Sequence, residues 1–155
     1  MLRLSKKRLF AIEAVVDIAY HTGGEPVRSS DISRRQGIPR RYLEQVLQEL
    51  VHKGILAGQR GPRGGYRLAR ERRRITVGDI MRVVGALEGA TDAVAEPMTK
   101  VGGSEVAVKV IRPLWSDLQR EIMERLDSLT VEDLCRRARD LQVPSEAARI
   151  PDFSI

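Results

Sequence analysis

Residues 40–52 carry a set of side chains able to read nucleic-acid bases. Arg41, Glu44, Gln45, Gln48 and His52 recur at helical spacing, with Arg40 one step ahead of them. An arginine fork fits guanine, a glutamine amide fits adenine, and a glutamate accepts from the cytosine amino group. A solvated helix face presents the same residue types, so this pattern alone leaves two readings open. A second set follows in Arg60-Gly61-Pro62-Arg63-Gly64-Gly65, where guanidinium groups sit in a glycine-rich tip. Glycine lets a backbone approach phosphates closely, and arginine suits a narrow minor groove. The third candidate is Cys135, flanked by Arg136, Arg137 and Arg139. It is either a small buried hydrophobe or a sensor thiol whose thiolate those arginines favour. His21 and His52 have no partner at metal-ligand spacing. No nucleophile–base pair, paired carboxylates or phosphate-loop pattern stands out, so the sequence reads as a non-enzyme.

The elements that must position these residues are legible from periodicity and punctuation. Ser5 is a plausible N-cap for a helix to about His21, with Leu9, Ile12, Val16, Ala19 and Tyr20 as its apolar face. A shorter helix begins at Ser29 or Ser30 and stops at Gly37; a third follows Pro39, which suits a first turn, and ends at Gly54. Leu43, Val46, Leu47, Leu50 and Val51 form the third helix's apolar stripe, opposite the base-reading set. Two short helices around a glycine turn make a helix-turn-helix. Strand-length runs at Ile55–Arg60 and Tyr66–Ala69 then enclose the Gly/Pro tip as a hairpin, the wing of a winged helix. Arg70, Arg72, Arg73 and Arg74 read as a solvated turn before a helix capped by Thr76 and Asp79. That helix buries Ile80, Val83, Val84 and Leu87.

Residues 88–104 lack a regular period and read as a loop in the position of a sensor. A long helix to about Ser128 follows, with Ile111, Trp115, Leu118, Ile122, Leu126 and Leu129 spaced by three and four. Pro113 either starts its regular part or kinks it. Its seam needs a cover, either the first helix or the same helix of a second subunit. Thr130 and Asp133 cap a last helix ended by Val143-Pro144, and the chain after Pro144 reads as a loose tail. The resulting division is a winged helix-turn-helix unit over 1–87, a loop over 88–104, dimerisation and C-terminal helices over 105–141, and a tail over 142–155. The fold class is mainly α with a small β-hairpin.

Composition agrees with a polyanion partner. The 155 residues carry 27 Lys/Arg against 21 Asp/Glu, but residues 1–74 hold 17 against 7. The basic first half points to a polyanion and the mildly acidic remainder to another task. At 4% aromatic residues, stacking on single strands is disfavoured. One cysteine excludes an internal disulfide framework, and no apolar run reaches the roughly 18 residues of a membrane span, so a cytoplasmic location is expected.

The segments SSDISRRQGIPRRYLEQVLQELVHKGIL, RGPRGGYRL, ITVGDIMRVV, PLWSDL and LTVEDL together resemble the IscR/NsrR-type (Rrf-two) family of bacterial winged-helix transcription regulators, over residues 1–141. The resemblance implies a homodimer joined through the long helix that binds an imperfectly palindromic DNA operator and usually represses. Residue by residue it implies DNA contact by Arg41, Tyr42 and Gln45, operator tuning by Glu44, and minor-groove entry by Arg60 with the tip residues Arg63 and Gly64. Tyr42 reads equally well as a packing anchor. Lys6, Lys7, Arg28, Arg34 and Arg40 complete the expected DNA-contacting set. Ile111, Trp115, Leu118, Ile122 and Leu126 would form the dimer seam.

Well-known members of that family hold an iron–sulfur cluster on three cysteines in the loop before the long helix, with a histidine or acidic fourth ligand. Here the loop has no cysteine, Arg112 stands at the histidine's place, and Arg8 lies near the acidic ligand's. A thiolate-held cluster needs several soft donors, so no cofactor is expected. The expected signal is then a metabolite, a redox change or a protein partner. The alternative is a winged-helix interaction module paired with a metabolic enzyme.

Overall fold

In this computed structural model, residues 5–91 and 103–147 are described, with side chains to 85 in the first stretch. Among the described residues there are six α-helices and one hairpin. Helix α1 (Lys6–His21) opens on Ser5, whose hydroxyl accepts from the Arg8 N–H at 3.3 Å. Helix α2 (Ser29–Gln36) ends at Gly37, whose φ of 65° is the left-handed conformation that glycine adopts most freely. Helix α3 (Arg40–His52) follows directly, with Pro39 at the N-cap, one position ahead of the first turn. Its stripe Leu43, Val46, Leu47 and Leu50 is buried against α1 and α2.

The wing pairs β1 (Leu56–Gln59) antiparallel with β2 (Gly65–Leu68) in the register Leu56 opposite Leu68 and Gln59 opposite Gly65. Val27, before α2, adds a bridge to Tyr66, so the second strand of the hairpin is tied near its tip to the helix-turn-helix. Arg72–Arg74 form a single 3-10 turn. Helix α4 (Val77–Thr91) starts on the expected capping box, Thr76 with Asp79. It runs four residues beyond Leu87, so residues 88–91 are helical and not loop; the remainder of that expected loop, to 102, lies outside the described residues.

One core joins these parts. Ala11, Ala14, Val15, Ile18 and Ala19 of α1 pack with Ile32, the α3 stripe, Ile55, Ile75, Ile80, Val84, Val131 and Cys135. The buried face of α1 is therefore turned by about one residue from the expected one: Leu9 is exposed, Ile12 and Val16 are half-buried, and small alanines face α3 and α4. Alanine admits close helix approach, which a search for large apolar residues overlooks.

The long helix has two parts. A π-helical turn (Ala107–Ile111) leads into α5 (Arg112–Asp127), with Pro113 near its start. Proline has no N–H to close the ordinary helical bond, and the wider turn stands just upstream of it. Helix α5 packs on α4 and buries no residue of its own. Its C-terminal end is fixed to the body by Arg82, whose two terminal nitrogens reach the Asp127 carboxylate at 2.8 and 2.6 Å. Helix α6 (Val131–Asp140) carries the second capping box, Thr130 with Asp133. Backbone bonds from Val77 to Leu129 and from Val131 to Ile75 stitch its start to that of α4.

The segment after Pro144 differs from the loose tail expected. Tyr20 donates to the Val143 carbonyl at 2.7 Å, Ser145 donates to the Tyr20 carbonyl at 2.7 Å, and the Glu146 carboxylate meets Arg34 and Arg35. Residues 143–147 thus fold back on α1 and α2; those from 148 on lie outside the described residues.

Candidate nucleic-acid interface

Burying the α3 stripe turns the opposite face outward, and Arg40, Arg41, Glu44, Gln45, Gln48 and His52 are all exposed. Arg40 and Glu44, one helical turn apart, form an ion pair at 3.1 Å. Arg41 and Gln45 stand on the same face. Tyr42 lies at the seam between α1 and α3: its ring meets Phe10 edge-on at 6.3 Å, with the Lys7 ammonium 5.5 Å over its face. Tyr42 is still 38% exposed, so the ring is anchored while the residue stays accessible. These contacts place the first turn of α1, with exposed Lys6, beside the first turn of α3.

A groove of about 750 Å³ separates α3 from the wing. Arg40 and Gln48 line one side, Arg60, Gly64 and Tyr66 the other, and the start of α2 at Ser29 and Ser30 closes one end. The two serines were not among the expected contacts. They stand in the first turn of a helix without a side-chain cap, where backbone N–H groups favour an anion. Arg63 is exposed at the wing tip. The tip glycines serve the hairpin itself: a Cβ on Gly64 would come within 2.5 Å of the Gln59 carbonyl oxygen, and one on Gly65 within 2.6 Å of the Val27 carbonyl oxygen. Close packing on the wing's own backbone accounts for Gly64, and close packing on the Val27 backbone for Gly65, without any phosphate.

Two expected phosphate contacts are engaged within the chain. Arg34 pairs with Glu146 at 3.3 Å and with Asp31 at 3.7 Å. Arg28 donates to the Pro62 carbonyl. Behind α2, Arg35 spans the buried Asp17 carboxylate at 2.9 and 2.7 Å, and Gln36 donates to the same carboxylate at 2.7 Å. Burial pushes the nearby His21 imidazole below its ordinary value, with the Asp17 charge opposing, and its Nδ1 accepts from the Glu146 N–H at 3.1 Å. Nothing in the sequence pairs Asp17 with Arg35; the only hint was an acid amid the apolar residues of α1.

Residues 4–137 match the Rrf2 family, described as an iron-dependent transcriptional regulator. The chain belongs to the Rrf2 family. It is 35% identical over 142 residues to the HTH-type transcriptional regulator IscR of Xenorhabdus nematophila, covering 92% of this chain and 84% of that protein. Among solved structures it is similar to T. potens IscR, with TM-score 0.71, 35% identity and 93% of each chain covered. It is also similar to CymR, the global cysteine regulator of B. subtilis, with TM-score 0.66, 31% identity, and 88% of this chain and 98% of that one covered. This Rrf2 protein is a winged helix-turn-helix transcription regulator, as the resemblance implied.

The iron dependence in the family's description does not fit the donors present. A cluster is held by several cysteine thiolates, and this chain has one cysteine. Cys135 is fully buried in α6. Among the described residues, no three His, Cys, Asp or Glu side chains are grouped to hold a metal. Burial pushes the Cys135 thiol up, with the Arg72 charge opposing more weakly. That environment suits a packing residue, and it is the reverse of what activates a thiol. A thiol reagent should therefore titrate no group in the native protein and one per chain in denaturant. Rapid titration of the native thiol would instead support the sensor reading. Among the described residues, no helix is long and apolar enough to cross a membrane.

Proposed function

We propose that this Rrf2 protein acts as a cluster-free homodimeric repressor that reads an imperfectly palindromic duplex, α3 in the major groove and the wing in the adjacent minor groove. The observation that carries this reading is the groove between α3 and the wing, bordered by exposed Arg40 and Arg60 and closed at one end by the start of α2. In this reading Arg41 and Gln45 contact base edges, Glu44 selects among operators through its exchange with Arg40, and Arg63 enters the minor groove. Lys6 and Arg40 neutralise phosphates, Lys7 acts chiefly through the Tyr42 ring, and Arg34 contributes little while Glu146 and Asp31 hold it.

The second support is α5. Trp115, Leu118 and Ile122 are each at least 40% exposed, and Val108 and Ile111 extend the stripe into the π turn. Leu126, at the end near Asp127, is half-buried. A second copy of α5 covers such a stripe symmetrically, and the two-fold sets two α3 helices against two half-sites.

Selection of bound sites from random duplex tests the readout. Arg41→Ala or Gln45→Ala should flatten preference at individual base pairs by about 1–3 kcal/mol. Lys6→Ala should weaken all sequences alike and reduce the log–log salt slope by about 0.9. A uniform loss for the α3 variants would contradict base reading by this helix.

A further inference from the structure

Resting on that placement of the wing, we infer that Arg28 is a positioning residue that sets the wing's angle to the reading helix. It occupies the N-cap position of α2, where a short oxygen-bearing side chain would ordinarily accept from the first turn. Its side chain gives the helix no such bond. The guanidinium is directed across the groove, and its Nη2 donates to the Pro62 carbonyl at 2.6 Å, 34 residues along the chain. The preceding residue, Val27, exchanges two backbone bonds with Tyr66, both at 2.8 Å. Val27 therefore holds the tip-proximal end of β2 while Arg28 holds the turn beyond it. Between these two points the wing has little freedom to rotate, because Gly65 lies directly against the Val27 carbonyl.

The tip carbonyl sits between the two arginines offered to the minor groove, Arg60 and Arg63. Fixing Pro62 therefore fixes where both guanidinium groups leave the backbone. A charged donor makes this one of the stronger bonds open to an exposed carbonyl, and the long planar arginine side chain spans the gap. The cost is an α2 without a side-chain cap, whose Ser29 and Ser30 N–H groups remain available to an anion in the same groove, while that of Asp31 donates to the Arg28 carbonyl.

The test combines Arg28→Ala, Arg63→Ala and the double variant on the selected operator, with limited trypsin digestion of each free protein. Arg28→Ala should weaken operator binding about tenfold. Adding Arg63→Ala should then cost less than about twofold more, since a wandering wing no longer presents Arg63. Base preference at the α3-read positions should persist. Without DNA, cleavage after Arg60 and Arg63 should quicken several-fold in Arg28→Ala. Losses that multiply independently, or cleavage that does not change, would overturn the assignment and make Arg28 a phosphate contact. If the unaltered protein selects no sequence, the proposed function fails, and the cleavage rates still decide the tether.

Discussion

Leu118→Glu should convert the protein into a folded monomer and lower its affinity for a two-half-site operator by a factor of about 10²–10⁴. The size follows from linkage: once one half-site is bound, the second reading helix is already held near its own. Leu118 is 40% exposed in the middle of the α5 stripe, so a carboxylate there costs the isolated protomer almost nothing. Burying the same carboxylate against its symmetry mate would place two like charges in an apolar seam. Folding should survive because the core lies in α1–α4 with Val131 and Cys135, and α5 buries no residue. Sedimentation should report a mass near 17.4 kDa for the variant and twice that for the parent. Affinity for a single half-site should be nearly unchanged. A variant that remains dimeric would remove α5 as the interface.

What the sequence revealed and what it concealed divide along one physical line. Patterns repeating over a few residues were legible: the α3 stripe, the wing's Gly/Pro tip, and both Thr–Asp capping boxes appear where spacing predicted. Features depending on residues far apart were not. The exchange among Asp17, Arg35 and Glu146 joins three segments of the chain, and no local period encodes it. The folding back of residues 143–147 rests on single polar contacts, which composition cannot distinguish from a loose end. The α1 face was misplaced because alanines carry little weight in an apolar pattern, although close helix packing selects for them.

The same line separates the candidate site's parts. Residue types on α3 were read correctly as an outward set because a buried stripe fixes what lies opposite. The behaviour of Arg28 and Arg34 could not be read this way, since an exposed arginine takes whichever acceptor the fold brings near. Gly64 and Gly65 show a related ambiguity. Their presence in the tip was plain, but the backbone carbonyls that exclude a Cβ appear only once the hairpin closes on Val27.

The buried carboxylate should dominate the stability of the helix-turn-helix. Asp17→Ala is expected to destabilise the protein by about 3–5 kcal/mol, because it leaves the Arg35 guanidinium largely buried without its main partner. The Asp17 side chain is fully shielded and that of Arg35 only 11% exposed. Arg35 cannot escape the penalty by losing its proton, since a guanidinium stays charged in proteins and the Glu146 carboxylate remains beside it. Glu146 compensates weakly: its side chain is 42% exposed, and exposed pairs contribute about 0–1 kcal/mol. Gln36 would lose its acceptor at the same time. Thermal melts followed by circular dichroism should therefore rank the losses as Asp17→Ala, then Asp17→Asn, then Glu146→Ala. The first should lower Tm by roughly 10 °C or more. Asp17→Asn retains an acceptor for Gln36 or Arg35, which is why it falls between the others. Equal losses for Asp17→Ala and Glu146→Ala would mean that water reaches Arg35 freely, and that α2 is held to α1 by apolar packing around Ile32 and Ile18 alone.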